Sequence, residues 1–450
     1  MPKGVFIFRR DLRVKDNLAL RALCDTCEEV VCIFVFSPEQ IERGHNPYFG
    51  DASFQFMLES LEDLQKQTRG RLLLLRGDSI DVLKRIRKDW DFDTVAFNVD
   101  YTPYARKRDA AISEWCYTNE VKCLTAPDYT LHDLESVRTQ KDEIYQMFTP
   151  FYRTASKLPI LPMVSVNTRK LRQLEDKSKL STVEIEELSN LYIKNESPIV
   201  RGGRAHALRR LKRQPKNYSK ARDTLQAPTT LMGAYIKFGC VSIREVHEVF
   251  KTHEPLLRQL YWREFYAYVT YHTPKVLSES RNYDEDLEIR WVSSPTLFRK
   301  WCEGRTGFPL VDAGMRQMNS IGWMHNRARM VTASFLVKHL GIDWREGERY
   351  FATKLIDYDP CNNNGGWQWC ASTGTDAQPY FRIFNPWTQS KTHDPDSTYV
   401  HLWVPELRDV HPKHIHRWDV HHKSHANVDY SEPVVIHAEA RKASLERFGK

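Results

Sequence analysis

Apolar residues follow two different rhythms along the chain. At the start, short unbroken apolar runs recur: "GVFIF" from position 4, "VVCIFVF" from 30, "RLLLLRG" from 71, "TVAFNVD" from 94 and "VKCLTAP" from 121. Runs this short, rich in Val, Ile, Leu and Phe, predict strands buried on both faces. Amphipathic stretches such as Phe54 to Gln67 lie between them and predict helices. Strand and helix in alternation predict an α/β domain, a doubly wound parallel sheet with helices on both faces. "FRRDLRVKDN" follows the first run where a GxGxxG would stand, so the usual dinucleotide fingerprint is absent.

From about residue 130 the rhythm breaks. "FTPFYRTASKLPILP" is punctuated by proline, and the polar segment after it is low in aromatics. Together they predict a long interdomain connector. From about 200 apolar residues return at three- and four-residue spacing, as in "PLLRQLYWREFYAYVTYH" and "WREGERYFATKLID". Ser, Asp or Asn precedes these stretches and Gly ends them, which predicts an all-α domain. The expected division is 1–130, 131–198 and 199–450.

The length of 450 residues suits two or three domains. No stretch approaches the ~20 apolar residues of a membrane span. "MPKGVFIFRRDLR" has too short an apolar run for a signal peptide. An intracellular protein, cytoplasmic or nuclear, is expected. Nine cysteines, an odd number, argue for reduced buried thiols over a disulfide framework. The net charge of +8 is modest, but nine Lys or Arg and no acid fall between Arg201 and Arg222. Such a run is either a solvated face or a polyanion contact.

Candidate chemistry gathers in the helical half. In "APTTLMGAYIKFGC", from Ala227, a Thr pair precedes a helical segment, where hydroxyls and N–H groups can hold an anion or simply cap the helix. Gln259, Trp262, Arg263 and Tyr266 share a helix face that is too polar for core and suits a flat polar ligand or a phosphate. Asn326, Arg329 and Met330 lie at i, i+3 and i+4, with Trp323 and Arg327 on a neighbouring face. In "LIDYDPCNNNGGWQWC", Asp357 and Asp359 precede an Asn run, two glycines and two tryptophans. The acids can bind a ribose, pair with Arg329 or act together, but no His or third acid completes a metal site. Six of the 17 His lie in "HPKHIHRWDVHHKSH" at no standard zinc spacing, so no metal is expected. No Ser-His-Asp order, P-loop or HExxH is present.

These patches, in this order behind an α/β domain, resemble the photolyase/cryptochrome family, closest to the class I cyclobutane pyrimidine dimer photolyases. "WREFY", "WMHNR", "IDWREGERYF", "NNGGWQWCASTGTDAQPYFRIFNP" and "VPELRDV" carry the resemblance, which spans nearly the whole chain. It implies a helical domain holding FAD. Tyr218, Thr229, Thr230, Leu231, Met232 and Gly233 would lie along its phosphates and ribityl chain, with Gly233 standing where Ser is usual. Arg263, Asn326, Arg329, Asp357 and Asp359 would contact the ring and sugar regions, and Asn363 would face flavin N5. The Asn-rich stretch is expected to be a turn, in which Gly365 and Gly366 let backbone come close.

The resemblance further implies that Trp367, Trp344 and Trp291 form an electron-transfer chain. Trp262 and Trp369 would flank a lesion flipped out of the duplex, with Gln259 and Met330 against it. Arg222, Arg327, Arg382 and Gln389 would hold the DNA backbone. The implied activity is light-dependent DNA repair, in which reduced FAD donates an electron to a pyrimidine dimer and the cyclobutane bonds split. Gln259 stands where class I members have Glu and is typical of (6-4) photolyases. Those enzymes, however, carry His at the positions of Asn326 and Met330, so the dimer assignment stands. Tyr104 and Ala105 replace the Asn and Glu of folate-antenna members, which leaves a second chromophore open between a deazaflavin, folate or none. The partner expected is damaged DNA, met by a monomer. The alternative is a blue-light signalling cryptochrome without repair activity; Asn363 matches the repair enzymes better.

Overall fold

The computed structural model describes residues 1–178, 180–213, 217–227, 229–280 and 288–449. Positions 214–216 of the basic run and Pro228 beside the Thr pair lie outside the described residues. The chain forms two compact units. The first comprises Met1–Glu196, Val200–Arg213 and Thr230–Lys275, and the second Ser197–Ile199, Gln214–Thr229 and Val276–Lys450. The helical region that begins at about 200 therefore lends two segments to the first unit.

The five apolar runs are the strands of the first unit: β1 (Lys3–Phe8), β2 (Glu29–Phe36), β3 (Leu72–Arg76), β4 (Thr94–Asn98) and β5 (Lys122–Ala126). All pair in parallel, in the order β3-β2-β1-β4-β5. Val5 on β1 lies opposite Val31 on one side and Val95 on the other. All three are fully buried, as unbroken apolar runs require when helices cover both faces. The strand order reverses between β1 and β4.

The connector is more structured than its composition predicts. Phe148–Ala155 is a helix, and Leu171–Arg172 forms a sixth strand, β6, beside Val30 and Val31 of β2. Strand β3 begins its pairing with β2 only at Cys32, so β6 occupies the stretch that β3 leaves open.

Buried charge ties the later segments to this unit. Arg244, on the helix Ile243–Phe250, donates to Asp16 at 2.9 Å and to Asp128 at 2.6 Å, and Arg13 also pairs with Asp128. All four are buried, so removing one partner should cost about 3–5 kcal/mol. Glu264 accepts from the backbone N–H groups of Leu131 and His132 at 2.7 and 3.0 Å. Arg204 of the basic run is likewise committed inward, paired with Glu245 at 2.6 Å.

The second unit is helical. Ser294, Asp343, Asp359 and Asn385 cap the helices Pro295–Glu303, Trp344–Lys354, Pro360–Ala371 and Pro386–His393 through their side-chain oxygens. Gly304 ends the first of these, and Gly322 ends the helix Pro309–Ile321, both in the left-handed conformation. The helix Asn326–Ser334 continues into a π turn over Phe335–His339, where Leu340 N–H bonds the Phe335 carbonyl at 3.1 Å. The core is aromatic, with Trp301, Trp344, Trp367 and Phe351 all buried. Among the described residues no helix is long and apolar enough to cross a membrane. The nine cysteines are free thiols.

Candidate functional site

The Asn-rich stretch is not the turn its composition predicts. Asp359 accepts from Asn362 N–H at 3.0 Å, Pro360 occupies the first turn, and the helix runs through to Ala371. A strong cap and a proline with preset φ outweigh two glycines. Helical geometry puts Asn363 and Trp367 one turn apart on one stripe. The Asn363 amide donates to Glu348 twice, to its backbone carbonyl and to its carboxylate, both at 3.0 Å. Burial pushes the Glu348 carboxyl up to about 7, although the Asn363 bond pulls the other way.

Trp367 is wedged against Gly347: a Cβ there would stand 2.1 Å from its ring. Phe351 and Trp301 meet Trp367 edge-on at 4.9 and 6.0 Å between ring centres. Trp344 is buried with its indole N–H unpartnered. Half-buried Trp291 packs against the same aromatic core and meets Phe448 edge-on at 5.8 Å. Trp369 is half-buried at the rim of that core.

On the Asn326–Ser334 helix, Arg329 binds both carboxylate oxygens of Asp357 at 3.0 and 2.9 Å. Asn326 donates to the Met330 sulfur at 3.6 Å. Arg327 pairs with Asp223 at 2.5 Å. Trp323 lies before this helix, so it does not share a face with Arg327 as the spacing predicts. The reason is the cap: His325 Nδ1 accepts from Arg327 N–H at 3.1 Å. Burial lowers the His325 pKa to about 4, which keeps the ring neutral and able to accept.

Tyr218 opens a one-turn helix that Arg222 closes. Thr229 is half-buried. Arg382 is exposed, and Gln389 has its side-chain oxygen buried without a partner.

The other predicted residues lie in the first unit. Thr230 accepts from Met232 N–H at 3.4 Å, Leu231 takes a φ of 51°, and Met232 precedes a helix of only five residues that Gly233 begins. Gln259, Trp262 and Arg263 sit on the helix Glu254–His272. Arg263 is partly spent within its own unit, bonded to the Tyr129 carbonyl at 2.8 Å and lying over the Tyr129 ring. Trp262 is stacked on Phe148 at 3.7 Å and 10°. One face of its indole is therefore covered.

Sequence reasoning missed Glu348, Phe148, Tyr129 and Trp301. The signal for Trp301 was its place in "TLFRKWCEG"; the others are joined to their partners only by the fold. Among the described residues no group of His, Cys, Asp and Glu could hold a metal ion. Asp357 and Asp359 do not form an acid pair, since one is bound to Arg329 and the other caps a helix.

The donor set of the second unit fits a flavin nucleotide. Amides, a guanidinium and a carboxylate match a ring with imide edges and a hydroxylated chain. A Cβ built at Gly366 meets nothing within 4 Å, so this mid-helix glycine borders open space next to Asn363.

Residues 256–450 match the family model described as the FAD binding domain of DNA photolyase. Residues 4–167 match the model described as DNA photolyase. A deoxyribodipyrimidine photo-lyase of Buchnera aphidicola is 34% identical over 100% of this chain and 97% of its own length. An archaeal photolyase from Sulfolobus tokodaii, solved with two FAD molecules, superposes with a TM-score of 0.90 at 36% identity, covering 99% of both chains. A cryptochrome of Synechocystis superposes equally well, TM-score 0.90, at 26% identity over 99% of both chains.

Proposed function

Because the chain belongs to the DNA photolyase family, we propose that it repairs cyclobutane pyrimidine dimers in DNA under light. The observation that carries this reading is the Pro360–Ala371 helix, on which a positioned amide, Asn363, and a buried indole, Trp367, share one stripe beside open space at Gly366. The domain roles follow: 1–130 as antenna domain, 131–198 as connector, and 199–450 as the FAD-binding region.

When bound and reduced, FAD supplies the light-driven electron. The residues of this chain do the rest. Arg329, neutralised by Asp357, offers a fixed guanidinium edge without a net charge change at the site. Asn363 is held by Glu348, so its amide oxygen is free to accept a proton-bearing group and its orientation costs nothing on binding. Trp367, Trp344 and Trp291 pass electrons inward from the surface, the first two shielded from water. Trp262, backed by Phe148, stacks on the flipped lesion through its uncovered face. Gln259 hydrogen-bonds the lesion base, and neither Asn326 nor Met330 carries a titratable side chain. Arg222, Arg327, Arg382 and Gln389 hold the DNA backbone.

The fold is shared with a cryptochrome, so the deciding experiment reads repair itself. Pre-reduced protein is given an oligonucleotide with one defined dimer, in blue light and in darkness, and the products are separated by chromatography. Light-dependent recovery of the two pyrimidines is expected. An unchanged dimer in the light would overturn the reading in favour of signalling.

A further inference from the structure

One large cleft of the second unit is unused by the function above. Its volume is about 720 Å³, within the range of small-molecule sites. Three stretches wall it: residues 288–290, the loop 372–380, and the end of the last helix, 443–449. Arg290 and Arg447 line it, and neither has an ion-pair partner among the described residues. Arg447 lies over Gly341, where a Cβ would stand 2.4 Å from the guanidinium carbon, so its position depends on that glycine. One of its terminal nitrogens is buried and unpartnered.

The inner wall is polar and incompletely satisfied. Thr373 and Gln378 are 1% and 3% exposed. Gln378 donates to the Cys370 carbonyl, which leaves its oxygen without a partner, and the Thr373 hydroxyl has none either. Leaving such groups unbonded costs roughly 1–3 kcal/mol each. Both residues line the cleft. The wanted ligand thus combines an anionic oxygen for arginine with a hydroxyl that bonds Thr373 and Gln378. Behind the wall Lys338, whose amine pKa burial lowers to about 7, donates to Ser372 at 3.1 Å and holds that end of the loop. Glu288 and Glu446, exposed at the rim, disfavour a multiply charged anion.

Phe448 gives the cleft its second property. It lines the cleft and meets the Trp291 ring edge-on, and Lys338 sits 3.3 Å from its ring centre. A ligand here is one aromatic ring away from Trp291.

We propose that this cleft binds a small hydroxylated organic monoanion and presents it across Phe448 to Trp291 as an electron donor. The donor step rests on the reading of Trp291 as the outer end of the tryptophan chain. Trp291, oxidised by one electron to its radical cation, regains one electron from the ligand. An enediolate monoanion thereby becomes a neutral radical, which releases its hydroxyl proton to water.

Two measurements on the full FAD-loaded chain separate the site from the step. Ascorbate is first titrated calorimetrically in the dark. Saturable binding is expected, weakened about tenfold by Arg447→Gln and about threefold by the surface change Arg290→Gln. No saturable heat, or an affinity that neither variant changes from that of the native chain, would overturn the proposal. Flash spectroscopy then follows decay of the Trp291 radical. Its rate should level off with ascorbate concentration and rise linearly with neutral dithiothreitol. A linear rise with ascorbate overturns the donor step. Dark binding without any Trp291 radical removes the donor step together with the tryptophan-chain reading, and leaves the anion site standing.

Discussion

The side chain of Asn363 donates to the carboxylate of Glu348, fifteen residues away, at 3.0 Å. Glu348 is 7% exposed, and burial holds its carboxyl at about 7, against an ordinary 4.5. Between those values the folded chain keeps a proton that the unfolded chain releases. Its contribution to stability is complete below pH 4.5 and is lost as pH rises through 7. Glu348→Gln removes the titration, so it should gain relative to the native chain between pH 5 and pH 8, by up to about 3 kcal/mol. Denaturant unfolding at both pH values measures this; a constant difference would show that Glu348 is ionised in both states.

Arg329→Ala should release bound FAD. Asp357 then loses a two-oxygen contact in a pair whose side chains are 26% and 14% exposed, which is too wet for the full cost of a buried pair. A loss of roughly 1.5–3 kcal/mol follows, about tenfold or more in FAD affinity. Equilibrium dialysis of the flavin would detect it.

Two glycine substitutions should act in opposite ways. Gly347→Ala drives a methyl into the Trp367 ring and should destabilise the fold by about 1–3 kcal/mol. Gly366→Ala meets no atom, so FAD-free protein should gain about 0.5–1 kcal/mol from helix propensity. If the flavin fills that space, the same change weakens FAD binding. Thermal unfolding with and without FAD reads both effects.

Trp291→Phe should stop photoreduction of bound FAD and spare repair by protein reduced beforehand. Transient absorption should show no long-lived tryptophan radical. Unchanged photoreduction would shift the outer donor to Trp301, which lies 6.0 Å from Trp367, and its neighbour Tyr350.

Gln259→Glu trades an amide that both donates and accepts for an acceptor that repels DNA phosphates. The opposed effects should keep the change in dimer affinity within about tenfold, or ~1.4 kcal/mol. Turnover of a (6-4) product by the native chain would overturn the dimer assignment.

The strands were legible because each needs only a local apolar run, and all five lie where their runs predict. The Asn-rich helix was misread because its cap, Asp359, and its proline, Pro360, act against the composition of the residues they start. The Arg329–Asp357 pair was foreseen by resemblance. Glu348 and Phe148 were not, since no spacing links Glu348 to Asn363 or Phe148 to Trp262; only the packing of separate elements does. The two-residue strand β6 carries no periodicity at all, and its partner on β2 alone determines it.

That small strand bears on how the protein is made. Strands β1 to β5 emerge from the ribosome before β6 does, and until then Val30 and Val31 show an unpaired edge. Such an edge recruits strands from other chains. It closes only when Arg172 emerges, some seconds later at ordinary translation rates. Nascent chains are thus most prone to cross-pairing over this window, and a cut in the connector would reopen it in the finished protein.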